Sequence, residues 1–276
     1  MKRIVSLAAT ATVLGVLVAG GLTAAASSAA SGLPTLTLAM NGKSITVGGT
    51  LQSGAVNIVS TVTKEAQGNP ALVRLDPGVS FGQAAAAVMG HKGDFNYLDP
   101  YGALVFSTTV NKGGSGSVQT LLQPGNYVAL DLTGNGKPVY SLFTVSQAAN
   151  PASLPAPQAT VASIEFAFRA PGTLHDGELV RFENQGFLVH MIVAAGVKNE
   201  HNAKKLTALL KAGKDNQAMK LATSFPTFDG GLSSGQMQQE IITAPPGIYV
   251  LACFMDTQDG REHTQLGMER TIRIVK

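Results

Sequence analysis

PGIYVLAC, residues 246–253, and PGNYVALD, residues 124–131, decide the reading of this chain. Each opens on Pro-Gly, a turn signal, and continues through Tyr-Val into an apolar run, which reads as a strand leaving a turn. Working outward, Gly49-Thr50-Leu51-x-x-Gly54 matches Gly172-Thr173-Leu174-x-x-Gly177. Gln67-Gly68, then Gly78-Val79, matches Gln185-Gly186, then Gly196-Val197, at the same spacing. Three landmarks in one order mark an internal repeat. Between the copies, residues 147–160 (QAANPASLPAPQAT) are rich in Pro and Ala and lack hydrophobic periodicity, as a linker does. The expected organisation is a module over 31–146, a linker over 147–160 and a second module over 161–276.

In each half, short runs rich in Val, Ile, Leu and Phe alternate with Gly/Pro turns. In the second half the strands are expected near 161–168, 178–183, 188–194, 239–243, 248–253 and 269–275. One helical stretch interrupts each half, near 82–89 and near 202–213, where Leu206, Leu209 and Leu210 share a face. The fold class is therefore all-β: two tandem Greek-key β-sandwiches, each with a short helical excursion.

The N-terminus reads as a secretory signal over 1–30. Lys2 and Arg3 precede an uncharged apolar run from Ile4 to Val18, and Ala24-Ala25-Ala26 offers a cleavage site. The run is short for a membrane span, which needs about 20 residues. No second long apolar run follows, so no span is expected after cleavage. The formal charge of +3 falls to +1 without Lys2 and Arg3, which leaves no electrostatic footprint for nucleic acid. Lys198, Lys204, Lys205, Lys211, Lys214 and Lys220 read as a solvated helix face.

Cys253 is the only cysteine, so no internal disulfide exists. It could be an intermolecular or reactive thiol, a metal ligand, or a small buried hydrophobe. The second half also holds His190 after a strand-like stretch, His263 ten residues beyond Cys253, and Met268 five further on. The pattern is H…C-x9-H-x4-M. Two imidazoles and a thiolate, with a weak axial thioether, suit an ion that cycles between Cu(II) and Cu(I). Singly, each residue has a bland alternative, since a lone His is usually structural and a lone Met usually core. Met255 is a spare thioether near the loop and reads as packing.

These residues resemble the cupredoxins, the plastocyanin-like blue-copper family. The resemblance rests on Asn184-x-Gly186-x-x-x-His190, Pro246-Gly247-x-Tyr249-x-x-x-Cys253 and His263-x-x-x-Gly267-Met268, and covers roughly 160–276. It implies one type 1 copper ion held by His190, Cys253, His263 and Met268, and single-electron transfer to a redox or surface protein partner. The long Cys-to-His loop also looks like that of the electron-entry domain of copper nitrite reductases. It is similar as well to exported cupredoxin-like proteins with a PDGxxH stretch, here Gln258-Asp259-Gly260-x-x-His263. Two features depart from the family. Met191 stands where members often carry an Asn that ties the ligand loops together. The loop is charged, with Asp256, Asp259, Arg261 and Glu262, where many members are apolar.

The first half is an internal control. Aligning Gln67-Gly68 with Gln185-Gly186 puts Leu72 opposite His190, and aligning the Pro-Gly turns puts Asp131 opposite Cys253. Gly134-Asn135-Gly136-Lys137-Pro138 then leads to the last strand with no His or Met. The fold elements recur without the ligands, so the ligands are additional to the fold. A multicopper oxidase needs paired His for a trinuclear cluster. The five His here, at 91, 175, 190, 201 and 263, include no His-x-His. A nitrite reductase needs a further three-His site, and His91, His175 and His201 are scattered. No nucleophile elbow, P-loop or zinc-protease motif is present. The expected protein is an exported, non-enzymatic copper carrier of electrons. The alternative is a metal-free exported binding or structural module.

Overall fold

The structure is a computed structural model that describes residues 32–133, 139–226, 228 and 230–276. The signal-peptide reading of 1–30 and the Gly134–Pro138 passage lie outside the described residues. The first half contributes β1 (Thr35–Met40), β2 (Ile45–Gly49), β3 (Gly54–Val62), β4 (Gln67–Gly68), β5 (Pro70–Leu75), α1 (Phe81–Gly90), β6 (Gly102–Ser107), β7 (Val110–Asn111), β8 (Ser115–Leu122), β9 (Gly125–Asp131) and β10 (Val139–Val145). The second contributes β11 (Ala159–Ile164), β12 (Ala167–Arg169), β13 (Thr173–His175), β14 (Leu179–Asn184), β15 (Val193–Val197), α2 (Glu200–Lys211), α3 (Asp215–Met219), β16 (Ala222–Ser224), β17 (Met237–Ile241), β18 (Gly247–Ala252) and β19 (Glu269–Val275).

Each half is a two-layer β module. One layer of each belongs to a shared eight-stranded sheet, ordered β12-β11-β14-β17-β8-β3-β1-β2. The second layers are separate: β10-β9-β5-β6 in the first half and β13-β19-β18-β15-β16 in the second. The halves meet at β17 and β8, where Gln238 lies opposite Thr120 and Gln239 opposite Gln119. Polar side chains reinforce that seam. Gln239 Nε2 donates to Gln119 Oε1 at 2.9 Å, and Thr120 Oγ1 donates to the Met237 carbonyl at 2.7 Å.

The run YVLAC is apolar without interruption because both its faces are covered. Tyr249, Leu251 and Cys253 enter the sandwich core with Phe182, Ile192 and Met268. Val250 and Ala252 pack against Leu206 and Leu210 of α2. The first half repeats the arrangement: Tyr127 and Ala129 face its sandwich core, and Val128 and Leu130 face Ala84 and Val88 of α1. Asn199 caps α2 through the Asn202 N–H, and Ser80 caps α1 in a reciprocal capping box with Gln83. The observed helices begin one or two residues earlier than the sequence suggests. The expected strand at 161–168 is broken by a turn in which Glu165 adopts φ 41°.

The repeat is visible in strand register, and the register corrects one of its sequence alignments. β5 pairs with β9, placing Leu72 opposite Ala129 and Arg74 opposite Tyr127. β15 pairs with β18, placing Ala194 opposite Leu251 and Gly196 opposite Tyr249. Leu72 is therefore the counterpart of Ala194, and Gly68 of His190. The match of Gly78-Val79 to Gly196-Val197 is accidental, since the first lies past the end of β5 and the second within β15. Asp131 does fall opposite Cys253. The Asn69 N–H donates to Asp131 Oδ1 at 3.1 Å, where the Met191 N–H approaches Cys253 Sγ at 3.4 Å. Tyr127 and Tyr249 likewise each donate to the carbonyl four residues back, at 2.9 and 2.6 Å.

Candidate metal centre

His190 enters from the loop after β14. Asn184, buried at the end of that strand, organises the loop with three side-chain hydrogen bonds. Its Nδ2 donates to the Leu188 and Leu232 carbonyls at 2.7 and 2.8 Å, and its Oδ1 accepts from the Gly186 N–H at 2.9 Å. Gly186 is required by space: a Cβ there would lie 2.7 Å from His190 Nε2 and 2.8 Å from the Glu165 nitrogen. The His190 backbone pairs in both directions with Leu232, at 3.1 and 2.9 Å.

Cys253 directly follows β18, and its N–H donates to the Met268 carbonyl at 3.3 Å. The chain then leaves in a tight excursion whose neck is the bridge between Asp256 and Glu262. Asp259 and Arg261 pair at 2.8 Å at its exposed tip, whereas Glu262 at the neck is partly buried. The His263 N–H returns to the Met255 carbonyl at 2.9 Å and opens a 3-10 turn, His263–Leu266. Gly267 closes that turn at φ 98°, a conformation that favours glycine. Met268 is thereby delivered beside Cys253 and is fully buried in the same core.

Three donor atoms converge. His190 Nδ1 and His263 Nδ1 are 3.1 Å apart, and Cys253 Sγ lies 3.3 Å from His263 Nδ1 and 3.9 Å from His190 Nδ1. A point equidistant from all three lies about 2.0 Å from each, against about 2.0–2.1 Å for zinc–imidazole and 2.3 Å for zinc–thiolate bonds. His190 and His263 are 2 % and 0 % exposed and Cys253 is 0 % exposed, so bulk water does not compete. His190, Cys253 and His263 form the one such group of metal-capable side chains among the described residues. Phe166 closes the site edge-on against His263, with ring centroids 5.3 Å apart. The sequence did not single out Phe166, because its role arises only once the β11–β12 turn folds over the site.

Burial makes the three donors electrically neutral. It pushes the Cys253 thiol up to about 12, and the Met191 N–H only partly offsets this. Burial takes His190 down to about 3, helped by the neighbouring His263, and takes His263 down to about 4. Both imidazoles are thus neutral ligands at physiological pH. Both Nε2 atoms are buried without a hydrogen-bond partner among the described residues. A soft thiolate with two imidazoles fits copper by ligand type, and the triangle fits by size.

No family model matches the sequence, and no curated protein matches it. Among solved structures the chain is similar to auracyanin B, at 17 % identity over 45 % of this chain and 93 % of that one, with TM-score 0.29. It is similar to an auracyanin from Roseiflexus castenholzii at 22 % identity, over 42 % and 95 %, with TM-score 0.28. Over the whole repeat it is similar to a Cu-containing nitrite reductase from Thermus scotoductus, at 10 % identity over 88 % and 68 %, with TM-score 0.25.

Proposed function

We propose that the protein is an exported electron carrier whose second module holds one type 1 copper ion. The observation that carries this reading is the buried triangle of His190 Nδ1, Cys253 Sγ and His263 Nδ1. Met268, with its backbone beside Cys253, is the proposed axial ligand. Bound there, copper would supply reversible one-electron chemistry. The chain's part is to hold the ligands in one geometry for both oxidation states and to exclude water, and Cys253 would give up its proton as the metal binds. Export rests on the character of residues 1–30. No helix among the described residues is long and apolar enough to cross a membrane. The partner would be a redox or surface protein. Copper titration of the metal-free protein tests the reading: one equivalent should give an intense visible thiolate-to-copper band, bleached by one electron per chain. A protein that stays colourless and takes up no copper would instead be a metal-free module.

A further inference from the structure

We infer that the first module is a structural part of the metal centre, and that Asn96 is the residue through which it sets the ligand loops. This rests on the copper reading above. Asn96 lies in the first half, in the 3-10 helix Phe95–Tyr101 that follows α1, and its N–H donates to Oδ1 of the capping Asp94 at 2.8 Å. Its side chain is buried, and the partners of both its amide atoms lie in the second half. Oδ1 accepts from the Val189 N–H at 2.7 Å, and Nδ2 donates to the Asp256 carbonyl at 2.9 Å. Val189 is the residue before His190. Asp256 is three residues after Cys253, at the neck of the loop that leads to His263. One amide therefore joins the two segments that carry the three converging donors. Met191, on the other side of His190, has no side-chain amide with which to do so.

Apolar packing and backbone pairing follow the same line. Val189 is buried in the core cluster of the first module with Leu98, Leu104 and Val128, and Met255 packs against it. The His190 backbone pairs with Leu232. The next residue, Ser233, is bound to Leu104 of β6 by its N–H and by its Oγ, each at 2.9 Å. The segments flanking His190 and Cys253 are thus seated on the first module, while the donor atoms point into the second. A side chain joining two segments that must not move apart fixes ligand spacing more strongly than either segment alone. Residues that hold metal ligands from outside in this way typically change affinity 10- to 100-fold when removed.

The test compares Asn96→Leu, similar in volume but without the amide, with Asn96→Asp, which keeps an acceptor for the Val189 N–H and loses the donor to Asp256. Gln119→Leu is the control, because it removes a hydrogen bond between the modules in the shared sheet and not at the ligand loops. In the metal-free proteins, hydrogen exchange at Val189 and through 254–263 and the rate of Cys253 modification by a disulfide reagent are measured. Asn96→Leu should raise both at least tenfold, Asn96→Asp should do so mainly through 254–263, and Gln119→Leu should leave both unchanged. With copper, Asn96→Leu should weaken binding 10- to 100-fold and shift the visible and electron-spin spectra, and Gln119→Leu should not. Wild-type exchange, thiol reactivity and spectra in both Asn96 variants would overturn the inference, as would equal effects from Gln119→Leu. If the wild-type protein takes no copper, the functional reading fails, while exchange and thiol reactivity still decide whether Asn96 holds the loops.

Discussion

Replacing Cys253 with Ser separates the metal chemistry from the fold. Cys253 is fully buried between Met268 and the strand core, and the Met191 N–H points at its sulfur from 3.4 Å. A C–O bond is shorter than a C–S bond, so the Ser oxygen sits farther from that N–H and accepts it poorly. The hydroxyl can still point at His263 Nδ1, 3.3 Å from the sulfur, but that contact lengthens for the same reason. Two weakened hydrogen bonds place the cost at about 1–3 kcal/mol, the range for a buried hydroxyl with incomplete compensation. For a protein of this size that corresponds to a fall in Tm of about 2–4 °C per kcal/mol. The assay is thermal unfolding of the metal-free protein followed by circular dichroism, paired with copper titration followed by absorbance. The Ser variant should fold, melt slightly earlier and show no intense visible band. A band of wild-type intensity would refute the thiolate assignment. Loss of the folded state altogether would refute the claim that the ligands are additional to the fold.

The neutral imidazoles give the metal-free protein an acid-sensitive stability. His190 and His263 titrate near 3 and 4 when folded, below their ordinary value of 6.5. The stability from keeping them neutral is complete above pH 6.5 and is lost as pH falls toward those values, at about 1.4 kcal/mol per pH unit each. Burial raises Glu262 to about 7, so its protonation acts in the opposite sense, discounted for its partial exposure. Chemical denaturation at pH 6.5 and pH 5 should show a net loss on the order of 2 kcal/mol, and a gain in stability at pH 5 would contradict the assignment. Met268→Gln should keep the colour and lower the reduction potential, measured by voltammetry, because the axial ligand tunes the metal without creating the band. Gly186→Ala forces a Cβ to within 2.7 Å of His190 Nε2 and 2.8 Å of backbone. It should cost about 1–3 kcal/mol in urea unfolding and weaken copper uptake; unchanged uptake would show that His190 can move freely.

Much of the fold can be read in the sequence because the Pro-Gly-x-Tyr-Val landmarks coincide with real turns and with strands β9 and β18. Each apolar run there is buried on two faces, which makes it conspicuous. The position of Cys253 follows from those landmarks, and Asp131 is its true counterpart. The alignment through Gln67-Gly68 fails because the two dipeptides are not structural counterparts: Gln67-Gly68 forms β4, whereas Gln185-Gly186 lies in the loop after β14. A four-residue offset therefore turns Gly68 into an apparent Leu72. The shared eight-stranded sheet is not legible, since Gln238 and Gln239 look like solvent-facing polar residues until β8 of the other module is placed beside them. Asn96 is hidden for the same reason. Its partners are backbone groups 93 and 160 residues away, and no local spacing marks such a contact. Met191 makes the sequence look as if the ligand loops lack a tie, whereas the side chain that joins them comes from the other half.

X-ray absorption at the copper edge of the loaded protein tests the central claim most directly, because it counts the atoms around the ion. The account predicts two nitrogen scatterers at about 2.0–2.1 Å and one sulfur at about 2.3 Å or slightly less, by analogy with zinc, with the sulfur lost in Cys253→Ser. A first shell of nitrogen and oxygen alone, unchanged by that substitution, would place the copper elsewhere and contradict the account.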